Sequence, residues 1–274
     1  MMPTIARNAG GFGAPWRHFR VTDSTNARVR ELVDAGAPGG TVVTAEEQTA
    51  GRGRQGRSWT APPGKALLYS AILRPFDGRH RLLPLVVPLA VCEAAEELSP
   101  GVECQVKWPN DIWIEERKLA GVLIEAKPQD GWAVIGIGLN LSTTPEEFPP
   151  DLREKATSLF SSTTEGRRKS RRSLPAVAPA GLPPPPPAVA PTGRPPTLRQ
   201  ATAVLGRCLD HWVTAEREET LAAWRSRDAL RGRQVSWDGG SGVADGIDDS
   251  GRLAVLAAGG DRVLLGAGDV HLRL

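Results

Sequence analysis

The chain has 274 residues, 40% hydrophobic and 24% charged, with a formal net charge of only +3, which allows a large and a small folded unit but offers no clustered charge pointing to nucleic acid. Cys92, Cys104 and Cys208 are far apart and the four histidines stand alone, which excludes a disulfide framework and a local zinc motif. The most apolar stretch, 82–91, is interrupted by Pro84 and Pro88 and is too short to span a bilayer, and no signal-peptide pattern opens the chain, so the expectation is a soluble cytoplasmic protein with no membrane partner.

Residues 1–19 are glycine-rich and without period, predicting a flexible lead-in. Asp23-Ser24-Thr25-Asn26 can cap a helix, and Val29, Leu32 and Val33 recur at helical spacing before Gly36, predicting a helix over 27–35. Strands are predicted at 41–45 and 67–73, on either side of a Gly/Arg-rich loop. A helix is predicted over 82–98, with prolines at its entry. Four strands follow at 102–107, 112–114, 119–125 and 132–139, and their short connections predict antiparallel neighbours. Composition then shifts. Over about 161–197, Arg167, Arg168, Lys169, Arg171 and Arg172 precede the tract Pro183 to Pro187, predicting a disordered or polyproline spacer. Helices are predicted at 198–216 and 219–229, and short strands at 234–237, 242–247, 253–257, 263–265 and 270–272. The fold class is therefore α+β: a mixed, largely antiparallel sheet with helices over 20–229, and a small SH3-like β-barrel over 230–274.

Three clusters carry chemistry. Gly51-Arg52-Gly53-Arg54-Gln55-Gly56-Arg57 combines glycines, which allow positive φ and close approach, with forked arginine donors suited to phosphate or carboxylate. Its spacing satisfies G-x-G-x-x-G, but Ser58-Trp59-Thr60-Ala61-Pro62-Pro63 cannot open a helix, so a dinucleotide site is rejected. In the second cluster, Lys107-Trp108-Pro109-Asn110-Asp111 precedes Lys118-Leu119-Ala120-Gly121. An even-numbered turn through Glu115 and Glu116 would make Asp111 and Lys118 direct cross-strand neighbours, either an acid–base pair or an ordinary ion pair. The third is Asn140, which ends the apolar run 133–139, where Gly136 and Gly138 leave room for another group.

Together with Asp23-Ser24-Thr25-Asn26, Gln48 and Trp59, these clusters resemble the biotin–protein ligases, in that family's order, over roughly residues 20–160. The resemblance implies a class II synthetase-like catalytic domain that joins biotin and ATP into biotinyl-5′-AMP, then transfers biotin to a lysine of a biotin carboxyl carrier protein or domain, such as that of acetyl-CoA carboxylase. It implies biotin contacts from Ser24, Thr25, Asn26, Gln48, Gly51, Arg52 and Lys118. Adenylate contacts would come from Arg54, Arg57, Trp59, Asn110 and Asn140. Lys118, Arg52, Arg54 and Asp111 would be catalytic. Mg²⁺ would arrive through ATP, with Asp111 as a possible ligand and no protein metal cluster. Too few residues precede Asp23 for the DNA-binding domain of some members, so no DNA partner is expected; monomer and homodimer stay open. The rival readings are a lipoate or octanoyl ligase on the same fold, which would lack the Gly/Arg loop, a nucleic-acid-binding module, and a scaffold recruiting partners through the proline tract.

Overall fold

The computed structural model describes residues 11–160, 194–266 and 270–272, so most of the predicted spacer lies outside the described residues. A seven-stranded sheet is built from β1 (Trp16–Thr22), β2 (Val42–Gln48), β3 (Ala66–Leu73), β4 (Gln105–Lys107), β5 (Asp111–Ile114), β6 (Arg117–Lys127) and β7 (Trp132–Asn140), in the order β1-β2-β3-β7-β6-β5-β4. Only β1 and β2 run parallel; the other pairs are antiparallel, as the short connections predict for β4 to β7.

The two faces of this sheet are built differently. In β3 the side chains of Leu67, Tyr69, Ala71 and Leu73 pack into the main apolar cluster with α2 (Leu83–Leu98) and α3 (Leu198–Val213). The alternate residue Ile72 faces α1 (Thr25–Asp34), where it meets Val29 and Val33, one turn apart on that helix. β7 repeats the pattern: Ala133, Ile135, Ile137 and Leu139 join the main cluster, while Gly136 and Gly138 fall on the α1 side. Burying an aliphatic side chain such as Leu89 or Ile135 contributes about 1.5–3 kcal/mol, and the many such residues between sheet and helices hold this layer together.

Helix α4 (Arg217–Ser226) leads to a second, antiparallel sheet of β8 (Gln234–Trp237), β9 (Gly240–Ile247), β10 (Leu253–Ala257), β11 (Arg262–Leu265) and β12 (His271–Leu272), ordered β11-β10-β9-β8-β12. Its inward residues Val235, Ala244, Ile247, Leu253 and Val255 belong to the same apolar cluster as α2 and β3. Trp108 ties the two sheets further, donating its indole N–H to the Gly251 carbonyl at 3.1 Å.

The lead-in expectation needs correction from residue 11 onward. Trp16–Thr22 is an edge strand, Phe12 is buried with its N–H on Asp210 Oδ1, and Gly13 N–H bonds the Gly40 carbonyl. Because β1 is largely exposed, it lacks the apolar alternation that reveals a half-buried strand. The other elements differ from expectation mainly at their ends: the 102–107 strand begins at Gln105, α3 stops at Val213 and α4 spans Arg217–Ser226.

Candidate active site

The α1 side of the large sheet is open over β6 and β7, and its floor is bare backbone. A Cβ at Gly138 would sit 2.3 Å from the Trp59 ring, one at Gly136 2.2 Å from Asn26 Oδ1, and one at Gly121 3.3 Å from Lys118 Nζ. Side chains from three different segments therefore lie directly on the strands. Above this floor is a chamber of about 200 Å³, lined by Ser24, Thr25, Asn26, Gln48, Trp59 and Lys118, among others. It opens beneath the Gly/Arg loop into a wider cleft of about 830 Å³, reached also by Gly51, Arg52, Arg54, Asn110 and Glu125.

One end of the chamber is a buried hydrogen-bonded cluster. Gln48 Oε1 accepts from Thr25 N–H at 2.7 Å and lies 3.0 Å from Thr25 Oγ1. Ser70 Oγ lies 2.7 Å from Thr25 Oγ1 and 2.6 Å from Asn26 Oδ1, and Asn26 Nδ2 donates to Glu125 Oε2 at 2.7 Å. Asp23 holds the Ser24 N–H, a bond that lowers its carboxyl below the ordinary value.

The other end is cationic. The 51–57 loop is closed by its own backbone: Gly53 N–H bonds the Arg57 carbonyl, and Trp59 N–H bonds the Gly51 carbonyl. Its glycines have different tasks. Gly56 takes positive φ together with Gln55, whereas Gly51 is required by close approach, since a Cβ there would meet the Trp59 carbonyl at 2.3 Å and Gln48 Nε2 at 2.8 Å. Arg54 reaches Asn110 Oδ1 at 3.3 Å, and burial lowers its pKa. Lys107, also with a pKa lowered by burial, lies over the Trp113 ring.

Lys118 Nζ lies 2.6 Å from Asp111 Oδ1 and 5.7 Å from the centre of the Trp59 ring. The expected direct cross-strand register is not the cause. The turn does have two residues, Glu115 and Glu116, both at positive φ as a tight hairpin requires. That turn places Lys118 opposite Trp113, and a bulge at Leu119 then shifts the ladder so that Asp111 faces Gly121. The lysine side chain reaches Asp111 across the bare backbone of Gly121. Its main chain is clamped as well: Lys118 N–H bonds the Lys155 carbonyl and Thr157 N–H bonds the Lys118 carbonyl.

The signature of the biotin/lipoate A/B protein ligase family matches residues 18–142. A biotin--[acetyl-CoA-carboxylase] ligase of Mycobacterium tuberculosis is 35% identical over 279 residues, covering 96% of this chain and 92% of that protein. The chain belongs to the biotin/lipoate A/B protein ligase family. The bifunctional ligase/repressor BirA of Bacillus subtilis is 39% identical over 150 residues, and the match spans about half of each protein, 53% of this chain and 46% of that relative. Among solved structures, the biotin protein ligase from Aquifex aeolicus in complex with biotin and ATP superimposes with a TM-score of 0.68 at 26% identity, over 94% of this chain and 98% of that one.

Of the residues that resemblance to biotin–protein ligases selects, Ser24, Thr25, Asn26, Gln48, Arg52, Arg54, Arg57, Trp59, Asn110, Asp111 and Lys118 line the inner chamber, and Gly51 lines the outer cleft. Asn140 does not join them. It is buried at the end of β7 and donates its amide to the Thr157 carbonyl, fastening the segment that clamps Lys118. Sequence reasoning missed Ser70 and Glu125. A hydroxyl inside the apolar run 66–73, and an acid two residues beyond Leu123 on the face of Gly121, were the available signals.

Proposed function

We propose that this chain is an ATP-dependent biotin–protein ligase, which forms biotinyl-5′-AMP and then biotinylates a lysine of a carboxyl carrier domain such as that of acetyl-CoA carboxylase. The observation that carries this reading is one chamber with a buried polar cluster at one end and several cations at the other, joined by Lys118. Biotin has the matching asymmetry: an uncharged ureido ring, an apolar chain and a carboxylate.

In the first half-reaction a biotin carboxylate oxygen attacks the α-phosphorus, a C–O–P bond forms, and the bond to the departing pyrophosphate breaks. Lys118 Nζ holds the carboxylate and α-phosphate together and offsets charge in the pentacoordinate state. Arg52, Arg54 and Arg57 neutralise the phosphate chain, and Trp59 and Asn110 support the adenylate. In the second half-reaction the carrier lysine amine attacks the acyl carbon, AMP leaves, and Asp111 accepts the amine's proton. Ser24, Thr25, Gln48 and Gly51 hold the ureido end. Asn140 acts from outside the chamber, through the 155–159 segment.

Mg²⁺ fits this site only as a passenger of the nucleotide. No group of three metal-ligating side chains occurs among the described residues, and Asp111, the one carboxylate among those lining the inner chamber, is paired with Lys118. No step is therefore routed through a protein-bound metal. No helix among the described residues is long and apolar enough to cross a membrane, and a cytoplasmic enzyme that acts on a carrier protein without DNA, as monomer or homodimer, completes the reading. Residues 20–229 would carry catalysis and 230–274 would support it.

The test is ATP–pyrophosphate exchange with biotin or lipoate as the acid. Exchange with biotin alone is expected. Exchange with lipoate alone would reassign the enzyme to the lipoate branch, and none with either acid in folded protein with Mg²⁺ would overturn the ligase reading.

A further inference from the structure

Six polar side chains, Arg30, Glu125, Asn26, Ser70, Thr25 and Gln48, form one line between helix α1 and the sheet, and the protons available to them set the direction of every bond. Arg30 Nη1 reaches Glu125 Oε1 at 3.0 Å, and Asn26 Nδ2 reaches Glu125 Oε2 at 2.7 Å. A carboxylate paired with arginine only accepts, so Asn26 must present its NH₂ to Glu125 and its oxygen to Ser70. That amide oxygen also only accepts, and it stands 2.6 Å from Ser70 Oγ. The single serine proton is therefore committed to Asn26. Thr25 has one hydroxyl proton and two protein oxygens within reach, Ser70 Oγ at 2.7 Å and Gln48 Oε1 at 3.0 Å. Neither choice leaves a proton for the chamber.

From this we infer that Glu125, with Arg30, is a positioning residue that sets the polarity of the chain Asn26–Ser70–Thr25 and so keeps the Ser70 proton off Thr25, leaving both Thr25 Oγ1 lone pairs to accept from the bound ring. This inference rests on the biotin reading and deepens it. Gln48 supplies the complementary group: its oxygen is held by the Thr25 N–H at 2.7 Å, which leaves its NH₂ as the outward donor. An acceptor beside a donor matches the N–H and C=O of a cyclic urea. Asn26 thereby acts through Ser70 and does not contact the ring by hydrogen bond. Gly136 is the allowance for this arrangement, since any Cβ there would overlap the Asn26 amide.

Glu125→Gln reverses the chain without changing its shape. Arg30 still demands an oxygen, so the new carboxamide turns its NH₂ to Asn26. Asn26 flips, donates to Ser70, and Ser70 donates to Thr25. Thr25 then spends one lone pair on the protein and accepts the ring N–H poorly.

The experiment measures biotin-dependent ATP–pyrophosphate exchange and thermal unfolding of the full chain. For Glu125→Gln the biotin KM is expected to rise about tenfold, the size of one lost buried hydrogen bond, with the KM for ATP, kcat and Tm held. The preference for biotin over an analogue with a ring oxygen in place of one N–H should shrink in parallel. Arg30→Ala in the Glu125→Gln background frees the carboxamide to turn its oxygen back to Asn26 and should restore most of the biotin KM. Thr25→Val should abolish the effect of Glu125→Gln. Ser70→Ala, which cuts the chain by a smaller change, should raise the biotin KM alone and serves if Glu125→Gln does not fold. A biotin KM within twofold of wild type, an equal rise in the Thr25→Val background, or a joint shift of both KM values with Tm would overturn the inference. Absence of exchange in the wild type would instead overturn the ligase reading.

Discussion

The two ends of the chamber solve opposite problems. At the Thr25 end, side chains bond one another inside the protein, and Ser70 and Asn26 are buried. At the Arg52 end, the loop's backbone bonds close the loop on itself while its guanidinium groups project into the cleft. An uncharged ring needs fixed partners, because a buried polar group without one costs about 1–3 kcal/mol. A phosphate chain needs charge, and charge acts through flexible arms over several ångströms. On the proposed reading, recognition of the ring is built into the sheet, whereas the loop is left to follow the nucleotide.

Breaking the junction of the two ends should have the largest effect. Lys118→Ala removes the cation between them and leaves Asp111 without its partner; exchange is expected to fall about 10²–10³-fold, measured at saturating biotin and ATP. A change confined to the rigid end should be smaller and selective. Gly136→Ala forces a Cβ to 2.2 Å from Asn26 Oδ1, so the biotin KM should rise about tenfold and stability should fall by about 1–3 kcal/mol, read by denaturant titration. The loop end should respond to ligand, not to packing. Tryptic cleavage after Arg52, Arg54 and Arg57 should slow about fivefold with biotin plus ATP, and unchanged rates would remove the contrast between the two ends. The smallest expected signal is a null one. Cys92, Cys104 and Cys208 are all buried, and burial pushes the Cys208 thiol up to about 12. Only on the order of one Cys208 in 10⁴ is thiolate at pH 8, and reactivity rises only as pH climbs toward that value, so native protein should resist alkylation that goes to completion in denaturant. Mass spectrometry reads both states.

The loop end was legible in sequence because glycine and arginine at close spacing are rare and local. The rigid end was only half legible. Thr25 and Gln48 lie in recognisable clusters, but Ser70 sits among apolar residues and Glu125 looks like an ordinary strand acid until the sheet brings both to Asn26. Register was the second limit. The turn at Glu115 and Glu116 was readable, but its two-residue form sets Lys118 opposite Trp113, and the bulge at Leu119, which no local pattern announces, moves Asp111 on to Gly121. Asn140 had the correct position at a strand end, but its one free amide goes to Thr157. β1 failed for the plainest reason: an exposed edge strand has little to bury.

The indole bond from Trp108 to Gly251 gives the small sheet a reach beyond its size. Trp108 stands two residues before Asn110 and three before Asp111, and its ring lies in the cluster that continues into Leu253 and Val255. Among the described residues, the C-terminal sheet cannot be detached without opening the core beneath the 108–111 turn. The C-terminal sheet is thus a keystone, not an appendage, of the core that carries Trp108.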